Sequence, residues 1–160
     1  MKVTPLVRFV NIIVAGLLAG VSFGIWIGFN PSGLSTSTFI EQQQNMLQSI
    51  RTLMVFLVVF ATIITILSAY LQRHDKSTFI FLILAAVLFI ACILITRFGN
   101  KPIDEMVITW TQDAIPDNWT ELRDNWWSFH ILRTVAEIIA LLLVAWASIN
   151  KDNRRTFKTV

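Results

Sequence analysis

The sequence predicts an all-α fold, a four-helix transmembrane bundle with short extracytoplasmic helices and a long fourth helix, and three observations carry that prediction. The chain of 160 residues is 55% hydrophobic and only 14% charged, where a soluble domain carries about 25% charged residues. Its mean hydropathy is +0.65. The apolar residues gather in four runs, each near the roughly 20 residues that a bilayer-spanning helix needs, and no proline falls inside any of them. This is not the composition of a disordered chain or of a soluble domain, and one membrane domain is expected over residues 1–160.

The runs extend from about Phe9 to Phe29, Leu53 to Leu71, Phe79 to Thr96 and Phe129 to Ile149. The first follows Lys2 and Arg8 as a signal peptide would, but its length of about 21 residues exceeds the usual 7 to 15 of a signal core, so a retained helix is expected. Four spans place both termini on one side. That side would hold Lys2, Arg8, Arg73, Lys76, Lys151, Arg154, Arg155 and Lys158, against Arg51, Arg97, Lys101 and Arg123 opposite. Cationic loops stay inside, which predicts cytoplasmic termini in a plasma (inner) membrane. The net charge of +3 then reflects orientation against membrane lipid, and no nucleic-acid partner is expected.

Two stretches, about 30–52 and 98–128, would form the extracytoplasmic cap. The first opens with PSGLSTST, expected as loop, and turns helical through FIEQQQNMLQSIRTL into the second span, with Ile40, Met46, Leu47 and Ile50 on its apolar side. In the second, Pro102 can open a short helix whose first turn holds Asp104 and Glu105, favourable at the positive end of the dipole. Ile103, Met106, Val107 and Trp110 fall at i, i+3, i+4 and i+7, a face for the bundle or the membrane interface. Pro116 and Asp117 mark the start of a helix that continues into the fourth span. About 32 residues from Asn118 make roughly 48 Å, so its first turns project above the hydrocarbon.

Gly16, Gly20, Gly24 and Gly28 recur every fourth residue of the first span with Ala15, Ala19 and Ser22 beside them, a small-xxx-small ridge. Packing against another span of the same chain is the plain expectation; a homo-oligomer through the four glycines, or a ligand against bare backbone, are the alternatives. The more informative stripe is on the last helix. Trp119, Arg123, Trp126, His130, Arg133 and Glu137 follow at spacings of 4, 3, 4, 3 and 4 and share one face. Arg133 and Glu137 fall about 6 and 12 Å below Phe129 by helix rise. Ionisable groups at such depth are costly unless paired or wetted, so they must face the bundle interior. The bland alternative is a buried Arg133–Glu137 pair that only locks packing. His130, between two arginines and lined by tryptophan, is either a satisfied polar residue or a base.

No metal site is expected: Cys92 stands alone, and His74 and His130 lie at opposite ends of the bundle, although single-His ligation or a mixed site with Glu137 or Asp104 stays open. Asp117, Glu121 and Asp124 read as a solvated acidic face. Four spans without an internal repeat or a broken helix among the last three argue against an alternating-access carrier.

The run NKPIDEMVITWTQDAIPDNWTELRDNWWSFHILRTVAEIIALLLV resembles the C-terminal signature of the anthrone oxygenase family. That signature reads Pro-Ile-Asn, a Trp, Pro-x-x-Trp, then Arg, Trp, His and Arg at helical spacing. The matching positions are Pro102, Ile103, Trp110, Pro116, Trp119, Arg123, Trp126 or Trp127, His130 and Arg133, with Asp104 standing where the family has Asn. The resemblance extends to the four-span layout, the glycine-rich first helix and the polar start of the second span at Gln42, Gln43, Gln44 and Asn45. It implies oxidation of anthrones to anthraquinones by dioxygen without a recognised cofactor motif, so no cofactor is expected. An anthrone is a flat apolar molecule with an acidic C–H. On this reading His130 removes the proton, Arg123 or Arg133 stabilises the oxyanion, Glu137 orients Arg133, and Trp119, Trp126, Trp110, Gln43, Gln44 and Asp104 bind a planar phenolic or quinol substrate. The alternative is a non-enzymatic membrane protein, a scaffold or complex subunit or a quinone or lipid binder.

Overall fold

The computed structural model describes residues 3–111 and 113–156, with side chains described to residue 149. Lys2 and Lys158 of the charge argument, and the side chains of Lys151, Arg154 and Arg155, lie outside the described residues. Among the described residues five α-helices follow one another: α1 (Val3–Gly28), α2 (Thr36–Leu71), α3 (Lys76–Ile95), α4 (Lys101–Val107) and α5 (Trp119–Thr156). Among the described residues four helical segments are long and apolar enough to cross a membrane, the third being α3 and α4 taken together. Helices α1, α2, α3 and α5 close a ring in which each packs on its chain neighbour and α5 returns to α1. The connections explain that order: Gln72–Asp75 is a single tight turn, and short links force antiparallel neighbours.

Local chemistry sets the helix ends. Ser35 Oγ accepts from the Thr38 N–H at 3.4 Å and Asp75 Oδ1 from the Thr78 N–H at 3.3 Å, two N-caps that satisfy orphan donors of α2 and α3. The stretch PSGLSTST is therefore less of a loop than its composition suggests. Asn30 Oδ1 holds the Ser32 N–H at 3.1 Å to close a 3₁₀ turn at Pro31–Gly33, and the cap at Ser35 draws Thr36, Ser37 and Thr38 into α2. The long last helix starts at Trp119, just after a turn in which the Trp119 N–H donates to the Pro116 carbonyl.

The connection from α3 to α4 is the larger departure. In place of a loop before Pro102, a π-helical turn at Thr96–Asn100 joins the two helices. Pro102 has no N–H to give to a carbonyl one turn back, and a wider turn placed just before it absorbs that defect without ending the helix. Gly99, in this turn, lies under the Phe129 ring of α5: a Cβ added there would be 2.7 Å from the ring.

Two buried clusters divide the bundle. The inner one packs Ala15, Leu18, Ala61, Leu82, Ala85, Phe89, Ala140 and Val144, with an alanine on each of the four long helices that lets their backbones approach. The outer one, under the cap, joins Ile25, Phe39, Ile40, Ile103, Val107, Trp110 and Trp126. The glycine stripe takes no part in either. Gly20, Gly24 and Gly28 are exposed, Gly16 is half-buried, and a Cβ at any of the four would meet nothing within 4 Å. This overturns the expectation of packing within the chain for the glycines, while Ala15, Ala19 and Ser22 beside them are buried in the bundle, and the reason is polar. Asn11 and Ser22 share the opposite face of α1 and must point inward, where Asn11 Oδ1 accepts from Thr65 Oγ1 at 2.8 Å.

Gly99→Ala is expected to destabilise the protein by about 1–3 kcal/mol through overpacking against Phe129, whereas Gly24→Ala should be neutral. Thermal unfolding of both variants in detergent checks this; equal melting of the two would remove the close contact from the account.

Candidate functional site

The half of the bundle next to α4 holds the buried ionisable groups that a membrane helix should not carry without cause. On α5, His130 and Glu137 are buried and Arg133 is half-buried. On the α3–α4 junction, Thr96, Asn100 and Asp104 recur every fourth residue and face α5. The hydrogen bonds between these two faces form two linked sets.

The first set holds Arg133. Its Nη1 donates to Thr96 Oγ1 at 3.3 Å and its Nη2 to His130 Nδ1 at 3.2 Å; His130 Nε2–H in turn donates to the Ser22 carbonyl of α1 at 3.2 Å. His130 is fully buried, its ring stacked with those of Trp126 and Trp127, both at 5.4 Å. Both of its nitrogens are thus engaged, and the tautomer is set by its partners, because a backbone carbonyl and a guanidinium leave one donor and one acceptor role to fill. Glu137 does not pair with Arg133 here: Arg133 Nε and Glu137 Oε2 are each buried with no hydrogen-bond partner. The expected task of Glu137, orienting Arg133, falls instead to Thr96 and His130, which reach the two terminal nitrogens of the guanidinium from the π-helical turn after α3 and from one turn back on α5.

The second set holds Asp104. Its Oδ1 accepts from Trp126 Nε1 at 2.7 Å and from Gln43 Nε2 at 3.5 Å. Both bonds use one oxygen, an acceptor that Asn would also offer, so Asp104 keeps these contacts where the signature has an amide. Asn100 Nδ2 donates to the Trp126 carbonyl at 2.9 Å, leaving Asn100 Oδ1 buried and unpartnered. Gln44 Nε2 reaches the carbonyls of Val107 at 2.9 Å and Trp110 at 3.0 Å, tying α2 to the end of α4.

Between the two sets and α2 lies a cavity of about 230 Å³. Its polar wall is Thr96, Asn100, Asp104, Arg133 and Glu137, with Trp126 beside them; Leu18, Ile25, Met46, Ile50 and Met54 make the apolar walls. Buried polar atoms without partners are costly, and three of them, on Asn100, Arg133 and Glu137, belong to residues of this wall. The residues of this wall thus carry one unpartnered donor and two unpartnered acceptors beside apolar side chains. Among the described residues, no three His, Cys, Asp or Glu side chains gather into a group that could hold a metal ion.

Of the residues singled out from the sequence, the structure brings Arg133, Glu137, Asp104 and Trp126 to the cavity, with His130 and Gln43 directly behind them. It leaves the others apart. Arg123 bonds Asp124 Oδ1 at 2.8 Å and lies over the Trp119 ring at 5.2 Å. Trp119 packs on Phe39, and Trp110 is buried in the outer cluster. The sequence reading missed Thr96, Asn100 and Ser22. Thr96, Asn100 and Asp104 do stand four apart in the sequence, but Gly99 and Pro102 disguise that periodicity as a loop.

Removing the imidazole should therefore act through Arg133 and through packing. His130→Ala is expected to lose about 2–4 kcal/mol of stability, and Trp126→Phe, which deletes one buried hydrogen bond to Asp104, about 1–3 kcal/mol. Unfolding in detergent reads both; a fully stable His130→Ala would contradict the buried bridge to α1.

The chain matches the family model described as anthrone oxygenase over residues 44–143. No curated protein and no solved structure matches it. The matched region contains Asp104, Trp126, His130, Arg133 and Glu137, while Leu18, Ser22, Ile25 and Gln43 precede it. The match covers more than half of the chain, and on it the protein, an integral membrane protein by its four apolar helical segments, belongs to the anthrone oxygenase family.

Proposed function

We propose that the cavity binds a compact planar phenol of the anthrone type and promotes its oxidation by dioxygen. The observation that supports this most is the pair of unsatisfied atoms on its polar wall: Arg133 Nε, a cationic donor, and Glu137 Oε2, an acceptor, both buried and both on residues that face apolar surface. An anthrone needs those two partners. Its carbonyl oxygen becomes an oxyanion when the C–H opposite is removed, and a fixed donor in a dry site stabilises that charge. In this reading Glu137 takes the proton and Arg133 holds the oxyanion. The enolate carbon then bonds to dioxygen, the proton returns to form a hydroperoxide, and loss of water leaves a second carbonyl. One methylene and one dioxygen become one carbonyl and one water.

His130 is a positioning residue in this scheme, not the base that the sequence suggested, because its two nitrogens already serve Arg133 and the Ser22 carbonyl. Asp104, held by Trp126 and Gln43, shapes the upper end of the wall. The excess of Lys and Arg that the sequence puts on the side of its termini, eight against four, supports cytoplasmic termini in a plasma membrane, and with them a site in the outer half of the bilayer. A second reading is favoured by the cavity's size. At about 230 Å³ it is below the roughly 300–1,000 Å³ of drug-sized ligand pockets, and the same wall would hold a quinone or lipid headgroup without turning it over.

Oxygen consumption by purified protein given anthrone tests the reading. Arg133→Gln and Glu137→Gln are each expected to lower turnover by about 10²–10³-fold, while Arg123→Gln, remote from the cavity, stays within about twofold of the wild type. Undiminished turnover in Glu137→Gln would remove the base assignment. Absence of uptake by the wild type would leave the binder reading.

A further inference from the structure

The rim of the cavity is chemically two-sided. Toward the cap, Glu105 Oε1 of α4 holds Lys101 Nζ at 2.9 Å and Arg51 Nη2 of α2 at 3.9 Å. Arg51 and Lys101 both line the cavity, so this ionic strap crosses from α2 to α4 at its edge. Beyond the strap the buried side chains of Phe39, Ile40, Val107 and Trp110 fill the space, and Gln44 ties α2 to the backbone of α4. Toward the membrane the lining is of another kind. Val55 and Val58 of α2 belong to the cavity wall, yet Val55 is 52% exposed on the outside of the bundle, beside the exposed Phe56 and Val59. From Thr52 to Leu71 the helix carries no charged residue. One side chain thus belongs both to the cavity wall and to the exposed apolar surface of α2.

We propose that the gap between α2 and the α3–α4 junction, bounded by Val55, Val58, Thr96, Asn100 and Lys101, is a lateral portal through which a planar phenol dissolved in the bilayer reaches Arg133 and Glu137. The inference rests on the cavity being the substrate site. Two physical arguments support the route. Amphipathic rings settle at the level of the headgroups, the depth at which Arg51 and Lys101 flank the end of the apolar stretch, so the ligand arrives at the height of the gap. A cavity of about 230 Å³ accepts a compact ring system end-on and lets any longer substituent trail through the gap into lipid. Recognition then acts on the polar pole that enters first, and supply is set by partition into the membrane.

The test uses the full-length protein in phosphatidylcholine vesicles with 2-naphthol as probe, its association followed by energy transfer from tryptophan in a stopped-flow instrument. The double variant Val55→Trp/Val58→Trp, which places rings in the gap, is expected to slow association by about tenfold or more with little change in equilibrium affinity. Val55→Cys capped after purification with benzyl methanethiosulfonate should show the same slowing in a protein that has already folded, reversed by dithiothreitol; Cys92 is buried and does not compete. Ser49→Trp, in the groove between α1 and α2 that adjoins the cavity at Ile25, Met46 and Ile50, should leave the rate unchanged. An unchanged rate in either plugged form, equal slowing by Ser49→Trp, or no binding of 2-naphthol by the wild type overturns the portal. Binding through the gap by a wild type that consumes no oxygen with anthrone keeps the portal and removes the oxygenase reading.

Discussion

A guanidinium placed between apolar helices must be met by oxygen or nitrogen atoms, because an unpaired charge there costs several kcal/mol. The way Arg133 is met organises the outer half of this bundle. Thr96 reaches it from the π-helical turn after α3 and His130 from one turn earlier on α5, and His130 is itself anchored on the α1 backbone at Ser22. One cation thus ties three helices together. Its remaining nitrogen, Nε, is buried without a partner, and the side chain so secured lines the cavity. A side chain fixed by structure with one donor to spare is preorganised, and that is what a site for developing negative charge requires.

The junction of α3 and α4 supplies the opposite wall. Had the chain broken at Gly99 and restarted at Pro102, Thr96 and Asp104 would sit on separate elements with no fixed relation. The π-helical turn carries the helix through, and Thr96, Asn100 and Asp104 fall on one face beside α5. Gly99 makes this possible by its lack of a side chain, since the Phe129 ring occupies the place a Cβ would take. Widened turns of this kind recur at functional sites because they shift side-chain register at small cost.

The two halves of the bundle answer to different demands. The inner half is an alanine-rich seam with Leu82 and Phe89 filling between helices, and it holds the ring of helices shut. The outer half sacrifices packing for a cavity and compensates with a second apolar cluster under the cap. Helix α1 serves both: Ala15 and Leu18 pack, Asn11 and Ser22 point inward with them, and the glycines are turned outward as a consequence.

The sequence by itself determined the class of fold and the side of the last helix that matters. Four apolar runs of spanning length leave no other economical solution, because every backbone polar group in lipid must be bonded within its own helix. Spacings of three and four among Trp126, His130, Arg133 and Glu137 require one face whatever packs against it. What the spacing could not assign was the partner of each group. Arg133 and Glu137, four apart on one helix, are placed to pair, yet Thr96 and His130 take the arginine, and Arg123 from the same stripe is left outside the cavity. The glycine stripe likewise has a helical period but no stated direction. Its rotation away from the bundle follows from where Asn11 and Ser22 find their surroundings on α2 and α5. Periodicity is a property of one helix, and contact is a property of two. The cavity, the free atoms on its wall and the lipid-facing gap beside Val55 exist only between helices, and so only the tertiary structure decided them.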